Sequence, residues 1–193
     1  VSLFKLSDLT RSTPKPETGG SVKTSGSSRC FIGKANEKLQ QKIGTISPDL
    51  TIHYASLGDW STHDLLFYLL QITGPAKVYF TTWAISEYAI RQLHSFIQQG
   101  HILELHGIFD YRNGVRKPAE LQFLQQITTN IKPAKCHAKV TSIINDAWGI
   151  AVNGSANYTR NPRIEAGTIC TERPVAEFHR DWILKELNET TVF

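Results

Sequence analysis

His137 and Lys139 stand two positions apart in "KCHAKV", and a "GSAN" run follows at Gly154 to Asn157. Glu165 lies a little further on. An imidazole can act as a nucleophile or carry a proton near neutral pH. A Lys ammonium is a fixed cation for a phosphate. Ser155 and Asn157 supply neutral donors suited to phosphoryl oxygens. Brought together, these four side chains could stabilise a phosphorane-like transition state without a metal. A His-x-Lys tripeptide alone is common and often marks only a packed or surface strand. The weight therefore rests on the combination and its order.

The elements that must position these residues can be read from hydrophobic period. Residues 135–144 and 148–155, joined at "ND", predict a β-hairpin. Period two sets His137, Lys139, Thr141 and Ile143 on one strand face, with His137 and Lys139 about 7 Å apart. The returning strand could bring Ser155 and Asn157 back to them. Cys136 turns to the opposite face and reads as core. Upstream, strands are expected at 50–56, 76–83 and 101–109. Helices alternate with them at 61–73, 86–100 and 117–127, the first two opened by a Ser and the last by Pro118. A strand at 165–170 and a closing helix at 173–187 follow, and a short amphipathic helix is expected at 35–43. This order predicts an α/β fold: a mixed β-sheet, parallel in its first strands and antiparallel at the hairpin, flanked by helices on both faces. Residues 11–29 are rich in Pro, Gly, Ser and Thr, so 1–34 reads as a flexible arm or linker and 35–193 as the folded domain. The apolar patch at 1–6 reads as a docking segment for the domain or a partner.

A chain of 193 residues can bury a core without staples. The net charge of +4 permits a polyanionic partner without demanding one. Three cysteines, Cys30, Cys136 and Cys170, include no close pair. This argues against a disulfide framework or zinc site and fits a reducing, cytoplasmic location. The longest apolar runs fall short of a membrane span.

The order His-x-Lys, spacer, Gly-Ser-x-Asn and then Glu resembles the phospholipase D superfamily, and within it the short nuclease-type proteins that carry one copy of the motif. The resemblance spans roughly residues 50–187 and implies a phospholipase D-like sandwich that works without metal or other cofactor. It implies that His137 is the nucleophile and forms a phosphohistidine, that Lys139 and Asn157 bind the phosphate with Ser155 nearby, and that Glu165 orients the His. A surface salt bridge accounts for Glu165 equally well. In the family an Asp usually stands five residues after the Lys; here that position is Ile144, and the nearest acid is Asp146. The spacer before "GSAN" is also about three residues longer than usual, which predicts a longer or bulged hairpin.

A site of this family needs two His-x-Lys motifs. None of His53, His63, His94, His101, His106 and His179 has Lys two residues on. One motif per chain implies a homodimer with the site across its two-fold axis. One His137 would attack phosphorus while the other protonates the leaving oxygen and then activates water. The implied substrate is nucleic acid, DNA in preference to RNA, with no membrane partner. Two other functions stay open: a dimeric nucleic-acid-binding module with a degenerate site, and a phospholipase-type lipid phosphodiesterase. Arg160 and Arg163 are candidates for flanking phosphates, or a solvated basic loop. Trp83 ends a predicted strand, where open α/β sheets place their sites, though core or interface packing explains it too. Residues 110–117, "DYRNGVRK", read as a loop whose cations either line a polyanion groove or are simply solvated.

Overall fold

Apolar strands alternating with capped helices build one eight-stranded sheet in the order β1-β2-β8-β7-β6-β3-β4-β5. A computed structural model describes residues 28–32, 39–160 and 162–189. The elements run β1 (Ser28–Ile32), α1 (Leu39–Ile43), β2 (Thr51–Ala55), α2 (Thr62–Thr73), β3 (Ala76–Thr82), α3 (Glu87–Gln98), β4 (Ile102–Asp110), α4 (Tyr111–Arg116) and α5 (Pro118–Ile127). They continue with β5 (Asn130–Ala134), β6 (Val140–Ile144), β7 (Gly149–Gly154), β8 (Ala166–Cys170) and α6 (Arg173–Asn188). Strands β3, β4 and β5 are parallel, while β6, β7 and β8 run antiparallel to their neighbours. The sheet is therefore mixed, as expected.

The strands are apolar on both faces because both are covered. Leu65, Leu66, Leu69 and Leu70 of α2, Ile90 and Leu93 of α3 and Leu124 of α5 pack with Ile52, Val78, Phe80 and Ile143 on one side. Helix α6 covers the other with Ala176, Ile183 and Leu187 against Tyr79, Ile108, Ile144 and Ala151. Cys136 joins this second cluster, as its expected core role requires. The helix ends follow local chemistry. The Ser86 side chain accepts a hydrogen bond from the Ala89 N–H, and Asp64 accepts one from the Ser61 N–H at 2.9 Å.

The structure adds to or departs from the sequence reading in several places. Strand β6 begins at Val140, so His137 and Lys139 precede it and do not share a strand face with Thr141. The cause is topological. Strand β5 ends beside β4 whereas β6 starts beside Thr81 of β3, so residues 135–139 must cross over the C-terminal ends of β4 and β3. Strand β5 itself was not foreseen, because Pro133 demotes a run in an interior strand; here it sits on the sheet edge, where its missing N–H is harmless. The expected loop at 110–117 contains helix α4. Of the two forms expected for the hairpin, longer or bulged, it is not the bulged one: β6 and β7 pair in unbroken register from Val140↔Asn153 to Ile144↔Gly149. Asn145 fixes its turn, its Oδ1 accepting from the N–H groups of Ala147 (3.0 Å) and Trp148 (2.8 Å). Residues 28–32, within the stretch expected as an arm, pair in parallel with β2. The docking segment at 1–6 lies outside the described residues.

Candidate functional site

The crossover loop sets His137 above the end of β3, exposed to solvent, with its ring centroid 6.1 Å from that of Trp83. Among the described residues its ring makes no hydrogen bond. Lys139 lies two residues on, at the mouth of the sheet, with its Nζ donating to the His137 carbonyl at 2.7 Å. Partial burial of this ammonium lowers its pKa, against an opposing pull from the Glu165 carboxylate. The Lys139 carbonyl accepts from the Gly154 N–H, which ties the loop to the end of β7 where "GSAN" begins.

The run after β7 is held in place by backbone and side chain together. The Ser155 hydroxyl donates to Glu165 Oε2 and accepts from the Ala166 N–H at 3.1 Å. Asn157 is locked at its oxygen: Oδ1 accepts from the N–H groups of Trp83 (3.1 Å) and Ala84 (3.2 Å) and from the Thr82 hydroxyl (3.3 Å). This fixes which end of the amide is which, because only the oxygen can accept. The Nδ2 donors have no partner among the described residues. Thr62, at the start of α2, donates to the Asn157 carbonyl at 3.0 Å and clamps the run from the other side.

Lys139, Ser155, Asn157 and Glu165 are thus gathered at one end of the sheet, and His137 stands beside them. Glu165 bonds Ser155 rather than His137 within the chain. Arg160 lies elsewhere, lining a cleft of about 510 Å³ with Trp60, His63, Asp64 and Tyr88. Arg163 is exposed. Ile144 packs beneath α6, at the far end of β6 from Lys139, on the order of 17 Å along the strand. Among the described residues no three His, Cys, Asp or Glu side chains converge as a metal-ligand group.

Sequence reasoning missed Tyr54, Thr62, Thr82 and Asp110. Tyr54 of β2 is buried beside the site, and a Cβ on Gly167 would come within 2.7 Å of its hydroxyl oxygen. Its pKa is pushed up to about 12 by burial and then by the Glu165 charge. Nothing local marks these four residues; they reach the site only through tertiary contacts.

The fold is that of a phospholipase D-like α/β sandwich. Nuc from Salmonella typhimurium, a phospholipase D family member, matches 74% of this chain with 97% of its own, at TM-score 0.54 and 13% identity. NucT from Helicobacter pylori matches 74% of this chain with 99% of its own, at TM-score 0.53 and 18% identity. A polyphosphate kinase from Porphyromonas gingivalis matches the same share with only 27% of its length, at TM-score 0.53 and 17% identity. At such identities the likeness is one of fold. No family model matches the sequence, and no curated protein does.

Proposed function

We propose that this protein is a metal-independent phosphodiesterase that cleaves nucleic acid through a phosphohistidine at His137, with the complete site formed across a homodimer axis. The observation that carries this reading is the set of polar groups held by hydrogen bonds at the end of the sheet where His137 stands. Asn157 is locked by its oxygen with its amide donors spare, Lys139 brings a cation, and Ser155 and Glu165 are fixed to each other beside them. Donors fixed in advance require no reorganisation when charge develops on the phosphoryl oxygens. His137 would attack phosphorus, forming the P–N bond as the P–O bond to the leaving group breaks. A second His137, from the other protomer, would give that oxygen its proton and then take one from water, whose oxygen bonds to phosphorus as the P–N bond breaks and frees the first imidazole. Within the chain Glu165 bonds Ser155 and not His137, so its proposed orienting contact would form in the dimer or on substrate binding.

The fold likeness to Nuc and the mildly basic charge support a nucleic acid substrate, and the order of His-x-Lys, "GSAN" and Glu165 supports the residue roles. Arg160 would meet the strand away from the scissile phosphate, across its own cleft. The degenerate-site reading drew on Ile144 and the hairpin length. Ile144 is an apolar core residue far from Lys139, and the extra residues form an ordered turn. Neither feature touches the phosphate position.

The test is hydrolysis of labelled oligonucleotide by the full chain in EDTA. The wild-type chain is expected to cut and to trap label on His137 after rapid quenching, and His137→Ala is expected to lose at least about a thousand-fold in rate. Undiminished cutting by a clean His137→Ala preparation overturns the proposal.

A further inference from the structure

Beside His137, on the side away from Glu165, the ends of β3 and β4 carry a group the phosphate chemistry does not use. Asp110, the last residue of β4, is buried, and its carboxylate receives Arg112 Nε at 2.7 Å and a second guanidinium nitrogen at 3.1 Å. It also accepts the backbone N–H of Arg112 at 3.2 Å and that of Cys136, the residue before His137. Arg112 is thereby held with its guanidinium carbon 5.9 Å from the Trp83 ring centroid and 5.8 Å from that of Tyr111. Its side chain remains half exposed (50%), and both rings are partly exposed.

The pairing decides what this group can bind. The charge of Arg112 is already matched by a buried carboxylate at bidentate geometry, so it is a poor free cation for a phosphate. What it and Trp83 still present is planar surface. Guanidinium planes and aromatic rings are the surfaces on which unstacked nucleobases lie, whereas bases inside a duplex are stacked on each other and cannot reach them. The Trp83 ring also touches the ring proposed to attack phosphorus, so a base seated here belongs to a nucleotide adjoining the scissile phosphate.

We infer that Trp83, Arg112 and Tyr111 form a stacking platform for an unpaired nucleobase next to His137, which makes single-stranded nucleic acid the ligand of this site. Asp110 is its positioning residue, joining the platform to the loop that carries His137. The inference rests on the phosphodiesterase reading for the meaning of the site, but its test is binding and does not need turnover.

Full-length protein carrying His137→Ala, which leaves the strand uncut, is titrated with fluorescein-labelled oligothymidylate, with an abasic strand of equal length and with a duplex, at one fixed salt concentration. The expected result is about ten-fold tighter binding of oligothymidylate than of the abasic strand, and weaker binding of the duplex than of oligothymidylate. Adding Trp83→Ala should abolish the preference for bases by weakening oligothymidylate alone, while Trp83→Phe keeps part of it. Equal affinity for base-bearing and abasic strands in the protein that retains Trp83 overturns the platform, with no variant folding at issue. So does a base preference that survives Trp83→Ala, or tighter binding of the duplex. If the wild-type chain cuts no nucleic acid, the phosphodiesterase reading falls while this binding result still decides the platform.

Discussion

In the proposed reaction Asn157 would serve structure and chemistry through opposite ends of its amide. Its oxygen accepts from groups at the turn from β3 into α3, and its nitrogen, without a partner among the described residues, is the end proposed to meet the phosphate. The two roles separate by substitution. Asn157→Asp keeps an acceptor for the turn but replaces the donor by a negative oxygen facing the phosphate. It is expected to unfold at nearly the wild-type urea midpoint while losing at least about a hundred-fold in rate. Asn157→Ala loses both and should also destabilise the fold by about 1–3 kcal/mol. Equal activity of Asn157→Asp and wild type would remove Asn157 from the site.

At the scale of elements, the crossover from β5 to β6 determines what His137 can do. A strand would have set its side chain by alternation and paired its backbone; a loop above the ends of β3 and β4 leaves it exposed and beside Trp83. The anchoring of β5 is accordingly a stability feature with a clear test. Lys132, buried in that edge strand, donates through Nζ to the carbonyls of Glu186 (2.6 Å) and Glu189 (2.9 Å), capping the C-terminus of α6, and meets the Glu186 carboxylate at 2.9 Å. Lys132→Met keeps the apolar stem and removes the cap. It should lower the unfolding free energy by about 1–3 kcal/mol in urea denaturation; an unchanged midpoint would show that the cap contributes nothing.

The same elements show what the sequence made legible. Helices α2, α3, α5 and α6 were readable because an amphipathic period and a Ser or Pro at the start are local signals. The proposed site residues stood out because their order resembles a motif. Strand β5 was hidden by Pro133, and α4 by the Gly and charges of a short run. The loop placement of His137 was hidden for a different reason: it depends on β6 inserting beside β3 rather than beside β5, a choice no local window encodes. The clamps on Asn157 from Thr62 and Thr82 depend on contacts across 95 and 75 residues of chain and were invisible for the same reason.

For the molecule as a whole, the chain supplies one exposed imidazole to a reaction proposed to need two. Each sheet would carry the proposed phosphate donors and one proposed nucleophile at the same end, with the inferred stacking platform beside it. Two copies facing each other would place two imidazoles on one phosphate, and the bound strand would break the symmetry by making one attack and the other protonate. The stoichiometry of His137 is therefore the central claim. Wild-type and His137→Ala chains, unfolded together in varied ratio and refolded, form dimers at random. If one site uses both histidines, nuclease activity per total protein falls as the square of the wild-type fraction. A linear fall would mean that each chain works with its own His137 alone, and would contradict the shared site.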